Sequence, residues 1–399
     1  MKQQWQTSTL GEVLAVLRNG VNCKQDKSGN GDRISRIESI SDASFDLDRV
    51  GFAELSERDK ERYRLQNGDI LFSHINSAVH VGKTAVFGCP EPVYHGVNLL
   101  LMRPKDFLLS TYLEYALKYL FQSGYWRGVC KQSVNQASVN QQDISRVEFR
   151  YPDLLTEQRR IVGILDEAFE GLATAKANAE QNLQNARALF ESHLQAVFTQ
   201  RGDGWVEKRL EEVCGLQNGF AFKSSTFKPS GAPILRISNI QDGRIDADNR
   251  LVFFDPKDYR ENLDRYRIVE GDLLIAMSGA TTGKLGFNTE RTVYYLNQRV
   301  GKFEPSDKLN KRFLYHFLST KVEENLRISA GAAQPNLSTE QIKGFILPLP
   351  SVDEQERIVD ALETLSEETQ RLESLYQRKL AALDALKNSL LHRAFSGQL

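Results

Sequence analysis

Little in this chain of 399 residues offers a reactive group. Cysteine is scarce: Cys23, Cys89, Cys130 and Cys214 lie far apart, with no C-x-x-C pair and no histidine at the spacing of a zinc site, so they read as reduced structural thiols. The six histidines are scattered, and His74 and His80 fall near a candidate binding loop. No apolar run approaches the ~20 residues that a bilayer span needs. The polar start Met1-Lys2-Gln3-Gln4 lacks the apolar segment of a signal peptide, so the expected compartment is the cytoplasm, without a membrane partner. A surplus of one charge is missing as well: 51 basic and 52 acidic residues leave a net charge of −1. By segment the balance is +1 in 1–155, −2 in 156–200, +3 in 201–350 and −3 in 351–399. Holding a polyanion by charge alone requires a clear basic excess, so any nucleic-acid binding must be selective or shared with a partner.

Catalytic sets are absent too. Gly279-Ala280-Thr281-Thr282-Gly283-Lys284-Leu285 resembles a phosphate loop, but its first glycine is one residue too close and Leu285 stands where a metal-binding Ser or Thr belongs. Its counterpart, Ser77-Ala78-Val79-His80-Val81-Gly82-Lys83-Thr84, has Ser77 in place of the leading glycine. Gly29-Asn30-Gly31 does not follow a strand in a βαβ unit, and Phe254-Asp255-Pro256-Lys257 lacks the second proline and aromatic of an amino-methyltransferase loop. No metal site and no nucleophile with its base is in sight.

What the chain does have, it has twice. Trp5, Leu10 and Val13 answer to Trp205, Leu210 and Val213; Gly68-Asp69 to Gly271-Asp272; Gly82-Lys83 to Gly283-Lys284; Tyr94 to Tyr294; Glu157-Gln158 to Glu354-Gln355. The offset drifts only between about 197 and 203 residues, too long for a solenoid repeat, so each copy is a domain with an appended helix. Short β-branched runs such as Ile70-Leu71-Phe72 and Leu273-Leu274-Ile275, followed by amphipathic stretches over 112–121 and 313–326, predict mixed α/β domains. The expected fold class is α+β, with domains at 1–155 and 201–350 and long helices over 156–200 and 351–399.

Pro152 and Pro350 precede the two helices, with Thr156 and Asp353 as expected caps ahead of an acidic first turn. A 3,4 spacing runs through Ile358, Leu362, Leu365, Thr369, Leu372, Tyr376, Lys379, Leu383, Leu386 and Leu390. The matching seam of the first helix is Ile161, Leu165, Ala168, Leu172, Ala175, Ala179, Asn182, Ala186, Leu189 and His193, mostly small where the other is large. Only residues 199–204 separate the first helix from Trp205, so an antiparallel coiled coil with one domain at each end is the expected architecture, a pseudo-twofold internal repeat.

In this order the motifs resemble those of the specificity subunit of type I restriction-modification systems. The resemblance rests on Asn218-Gly219-Phe220-Ala221-Phe222-Lys223-Ser224, Leu235-Arg236-Ile237-Ser238-Asn239-Ile240, Gly271-Asp272-Leu273-Leu274, Ser278-Gly279-Ala280-Thr281-Thr282-Gly283-Lys284, Gln334-Pro335-Asn336-Leu337-Ser338 and Pro348-Leu349-Pro350 before Glu354-Gln355. The first half departs from it: Val21-Asn22-Cys23-Lys24 follows Asn19-Gly20, Ser73-His74 stands for Ser278-Gly279, and Gln136-Ala137-Ser138 for Gln334-Pro335-Asn336. Different contact loops on one scaffold suit two different half-sites.

The resemblance implies a subunit without catalysis of its own, whose two target-recognition domains read a bipartite target in double-stranded DNA. It implies two methyltransferase subunits that use S-adenosylmethionine on adenine N6, and motor-nuclease subunits that use ATP and Mg. A related bipartite system of type IIB and a coiled-coil protein whose ends bind protein are the alternatives. Asn and Gln suit the edge of adenine, Arg and Lys that of guanine. The candidate contacts are Asn22, Lys24, Arg36, Ser39, Ser73, His74, Asn76, Lys83, Gln136 and Ser138 in the first half. In the second they are Lys223, Ser224, Arg236, Ser238, Asn239, Ser278, Thr281, Thr282, Lys284, Gln334 and Asn336.

Overall fold

The computed structural model describes residues 5–399 apart from 28, 41–43, 134–135, 201, 242, 248–250 and 330–335. It divides into two units, one made of Met1–Gln181 with Gln377–Leu399 and the other of Asn182–Tyr376. The first contains β1 (Trp5–Thr9), β2 (Leu14–Asn19), β3 (Ile70–Phe72), β4 (Thr84–Val86), β5 (Leu100–Pro104), α1 (Ser110–Gln122) and β6 (Glu148–Pro152), then the start of the long helix α2 (Leu155–Thr199). β1 pairs antiparallel with β6, and the other strands form a sheet in the order β2-β5-β3-β4. Ile70, Leu71 and Phe72 are all buried, without polar alternation, because both faces of this sheet are covered. The pleat sends Ile70 and Phe72 into a core with Tyr112, Leu113 and Leu117 of α1, and Leu71 into another with Ile40, Leu65 and Val93.

The second unit repeats this plan. It contains β7 (Val206–Arg209), β8 (Cys214–Asn218), β9 (Leu273–Ala276), β10 (Leu285–Phe287), β11 (Val300–Pro305), α3 (Lys311–Ser329) and β12 (Ile346–Leu349), then the start of α4 (Val352–Ser396). β7 pairs with β12, and β8-β11-β9-β10 match β2-β5-β3-β4, with two short strands added beyond β10. Leu273 and Ile275 pack toward Phe313 and Phe317 of α3, while Leu274 and Ala276 pack toward Ile234 and Phe254. Even the first turn is duplicated: the Thr9 N–H donates to Glu12 Oε2 (2.8 Å) and the Arg209 N–H to Glu212 Oε1 (2.7 Å).

Each unit contains a stretch of both long helices, running antiparallel. In the first, Lys176 Nζ lies 3.0 Å from Asp384 Oδ1, and Arg160 Nη2 donates to the Leu399 carbonyl at 3.1 Å. In the second, Arg187 Nε lies 2.9 Å from Glu373 Oε2, and Leu194 and Phe198 share a core with Val359 and Leu362.

The packed seam differs from the expected one in its period. Ile161, Leu165, Ala179 and Ala186 are buried as expected, but beyond 181 Leu183, Phe190 and Leu194 turn inward in place of Asn182, Leu189 and His193, which are exposed. On α4, Leu362 and Thr369 are buried, whereas Leu372, Lys379 and Leu386 face solvent. A helix of 3.6 residues per turn drifts by about 20° per heptad against a 3.5-residue repeat, so a strict 3,4 pattern leaves the contact line unless the helix supercoils. The caps differ too. α2 begins at Leu155, ahead of Thr156, and Ser351 rather than Asp353 closes the start of α4, its Oγ accepting from the Glu354 N–H at 3.3 Å.

One buried glutamine fastens each helix to its domain. The Gln158 amide accepts from the Leu109 N–H (2.8 Å) and donates to the Phe107 and Pro152 carbonyls (3.0 and 2.9 Å). Gln355 accepts from the Asn310 N–H (2.7 Å) and donates to the Lys308 and Pro350 carbonyls (2.9 and 3.0 Å).

Candidate nucleic-acid interface

The Gly-Lys turn is a loop closed by its own backbone. In the second unit the Ala276 N–H donates to the Lys284 carbonyl (2.9 Å) and the Gly283 N–H to the Ala276 carbonyl (2.7 Å). In the first unit the same pair joins Ser73 to Lys83 and Gly82 to Ser73, each at 2.9 Å. Gly82 and Gly283 both have positive φ (95° and 83°). A Cβ at Gly82 would collide with the Trp126 ring, and one at Gly283 would stand 3.0 Å from Val322 Cγ1. The glycine of the motif therefore answers to packing and backbone conformation, which removes the remaining reason to read a nucleotide loop.

These bonds correct the alignment between the halves. Ser73 answers to Ala276 and His74 to Met277, since Val139 N–H donates to His74 O as Leu337 N–H donates to Met277 O, both at 2.9 Å. Ile75 is thus the counterpart of Ser278, and Ser138, which pairs with Ile75, is that of Asn336, which bridges Ser278. Two extra residues in the first unit's loop produced the misalignment.

Around this loop the second unit gathers most of its candidates. Thr281 Oγ1 donates to the Ile237 carbonyl (2.9 Å), resting the Gly279–Thr281 turn on the Ile237–Asn239 turn. Lys284 Nζ donates to Gln241 Oε1 at 3.3 Å. Lys284 also lines a groove of about 550 Å³ with Arg187, Glu191, His316 and Glu373. Burial pushes the His316 imidazole down to about 4, so it is neutral at pH 7. Asn336 is exposed next to Ser278, and Asn218 Nδ2 donates to Thr339 Oγ1 (2.9 Å) at the edge of the same cluster. Lys223 and Ser224 are exposed on a separate segment, tied to Tyr259. Gln334 lies outside the described residues.

Some candidates face inward. Asn239 is fully buried: its Oδ1 accepts from the Arg236 N–H (3.0 Å) and its Nδ2 donates to the Asp246 carbonyl (3.1 Å). Ser39 repeats that role, its Oγ accepting from the Arg36 N–H (2.9 Å) and donating to the Arg36 carbonyl (2.6 Å). In each unit the next carbonyl bond is the same, Asp46 N–H to Ser39 O and Asp246 N–H to Asn239 O, both 2.8 Å. Thr282 is buried and donates to the Gly279 carbonyl at 2.7 Å. These side chains shape turns; they do not present themselves to a ligand.

In the first unit, Ser73 and His74 are buried while Asn22, Lys24 and Gln136 are exposed and Arg36, Asn76, Lys83 and Ser138 half-buried. Arg36 is paired with Glu38 at 3.2 Å. Asn76 Nδ2 donates to Ser73 Oγ at 3.3 Å. His74 Nε2 lies 3.2 Å from Asn19 Nδ2, and Gln141 Nε2 donates to Asn19 Oδ1 at 2.6 Å. Burial pushes the His74 imidazole down to about 4, so it is no cation for phosphate or guanine. Asn19, Gln141, Gln241, Thr339 and Tyr259 join these hydrogen-bond networks without being among the sequence candidates. Asn19 and Asn218 end the equivalent strands β2 and β8, and that repeat was the available signal.

Among the described residues, no three His, Cys, Asp or Glu side chains gather as metal ligands, and no helix is long and apolar enough to cross a membrane. The family whose model matches is the type I restriction modification DNA specificity domain, found twice, over residues 2–184 and 202–380. A putative type I restriction enzyme MjaX specificity subunit from Methanocaldococcus jannaschii is 27% identical over 420 residues, spanning 100% of this chain and 94% of the relative. The EcoKI specificity subunit of Escherichia coli K12 is 24% identical, covering 100% of this chain and 90% of its own. Two solved structures share the fold. One, from a study of complex assembly and conformational transition in the type I R-M system, superposes with a TM-score of 0.76 at 19% identity over all of both chains. The other, the HsdS subunit from Thermoanaerobacter tengcongensis, gives 0.67 at 19% identity over 99% of this chain and 97% of that one.

Proposed function

The chain belongs to the type I restriction-modification DNA specificity family, and from that premise we propose that each unit reads one half of a bipartite DNA target. The observation that carries this is the duplicated loop with unlike side chains. Beside the shared Lys83 and Lys284, Ile75 and Ser138 stand in one unit where Ser278 and Asn336 stand in the other. A common backbone keeps the two readers alike in how they meet a duplex. The exchanged side chains make them unlike in what they accept.

On this reading the contacts come from the accessible candidates: Asn22, Lys24, Arg36, Asn76, Lys83, Gln136 and Ser138 in one unit, and Lys223, Ser224, Arg236, Ser238, Ser278, Thr281, Lys284 and Asn336 in the other. Ser39, Ser73, His74, Asn239 and Thr282 hold the loops in shape. The near-zero net charge supports a subunit that binds DNA together with partners, since alone it has no basic surplus to neutralise a run of phosphates. Those partners are two methyltransferase subunits acting on adenine N6 with S-adenosylmethionine, joined by motor-nuclease subunits that use ATP and Mg. The chain itself carries out no bond-making step. The assembly works in the cytoplasm, where its target is.

The test is selection from a pool of randomised duplexes by the chain assembled with its methyltransferase subunits. Two specified blocks separated by an unspecified stretch of fixed length are expected. Recovery of sequence-independent duplexes would refute the proposal.

A further inference from the structure

We propose that Tyr259 is a positioning residue for base reading by the second unit, locking the segment that carries Lys223 and Ser224. The inference rests on the reading just given, in which those two exposed side chains meet DNA. Residues 219–228 leave β8 and cross the unit with few regular backbone bonds: the Phe220 N–H donates to Leu296 O (2.8 Å) and the Lys228 N–H to Phe253 O (2.9 Å). Between those anchors the tip, a single turn over Ser224–Thr226, is flanked by the packed rings of Phe222 and Phe227 and tied to Tyr259 through its hydroxyl. Tyr259 Oη accepts from the Lys223 N–H (3.1 Å) and pairs with Thr226 Oγ1 (2.6 Å). Thr226 Oγ1 in turn donates to the Lys223 carbonyl at 2.8 Å, so the hydroxyl pair closes a ring around the residue that presents the cation.

The Tyr259 ring is fixed from three sides. Phe220, Phe222 and Phe254 meet it edge-on at 5.4, 5.5 and 5.7 Å, with interplanar angles of 81–83°. Its own segment is pinned beside it, Lys228 Nζ lying 2.7 Å from Asp258 Oδ2 and 3.7 Å from Asp255 Oδ2. An aromatic ring so held has little freedom, and a hydroxyl at its end is a fixed point to which the loop that carries Lys223 can be referred. Base discrimination depends on donor placement at hydrogen-bond tolerance, so freeing this loop degrades selectivity before it degrades folding.

Tyr259→Phe keeps the ring contacts and removes the hydroxyl. Two measurements on the complete system test it: hydrogen exchange of the peptide spanning 220–226, and methylome sequencing of a host carrying the system. Faster exchange is expected, with an unchanged Tm. About tenfold more methylation is expected at sites that carry one wrong base in one half of the target, the other half staying strict. Unchanged exchange would overturn the clamp. Faster exchange with both halves still strict would overturn the positioning role while leaving the bipartite reading intact. If Lys223→Ala and Ser224→Ala alter neither motif nor extent of methylation, the reading of this segment as a DNA contact fails, and the proposal with it.

Discussion

Replacing Gln355 with leucine removes the partners of three backbone groups at once: the Asn310 N–H and the Lys308 and Pro350 carbonyls. Each polar group left buried without a partner costs about 1 to 3 kcal/mol. Gln355→Leu is therefore expected to lower unfolding stability by at least about 3 kcal/mol in a urea titration, and Gln158→Leu to do the same, whereas exposed Gln370→Leu changes little. The buried imidazoles make a second prediction at this scale. His74, His95 and His316 are each pushed by burial from 6.5 down to about 4. The unfolded chain then takes up protons that the folded chain refuses, so stability present above pH 6.5 is lost as the pH falls from 6.5 toward 4. The urea midpoint should fall across that window, and His316→Asn should flatten part of the slope; an identical slope in the variant would contradict the cause. Residue chemistry was the least legible level in the sequence. Ser39 and Asn239 looked like contacts because the same short polar side chains serve as caps and as readers, and only their burial separates the roles.

Elements were easier to read, because burial on both faces leaves an unbroken apolar mark. Ile70-Leu71-Phe72 and Leu273-Leu274-Ile275 announced central strands, and the amphipathic stretches announced α1 and α3. The long helices were legible in existence and pairing but not in seam, since a 3,4 pattern and a 3.6-residue turn agree only over about two or three heptads. The difference is measurable. Leu362 is fully buried and Leu372 is 37% exposed, although both belong to the same written seam. Leu362→Ala is expected to cost about 2 to 5 kcal/mol and Leu372→Ala well under half of that, by urea unfolding; equal costs would restore the strict heptad.

At the scale of the molecule, the internal repeat is what ties sequence to function. The offsets of about 200 residues were visible in single tryptophans and Gly-Asp pairs, and the structure repeats them bond for bond at the Gly-Lys turn and at the Ser39 and Asn239 turns. α2 and α4 have 45 residues each, about 68 Å at 1.5 Å per residue, far beyond what either domain core uses. As a spacer, such a pair would set the gap in the target. Inserting four residues, about one turn, into α2 should change the preferred gap while sparing both blocks, and an unchanged gap would refute that role.

The most direct measurement of one unit for each half-site is methylome sequencing of hosts that carry the complete system with wild-type chain, Ser138→Ala or Asn336→Ala. The account predicts a motif of two blocks, with Ser138→Ala relaxing one block only and Asn336→Ala the other only. A single uninterrupted motif, or both substitutions relaxing the same block, would contradict it.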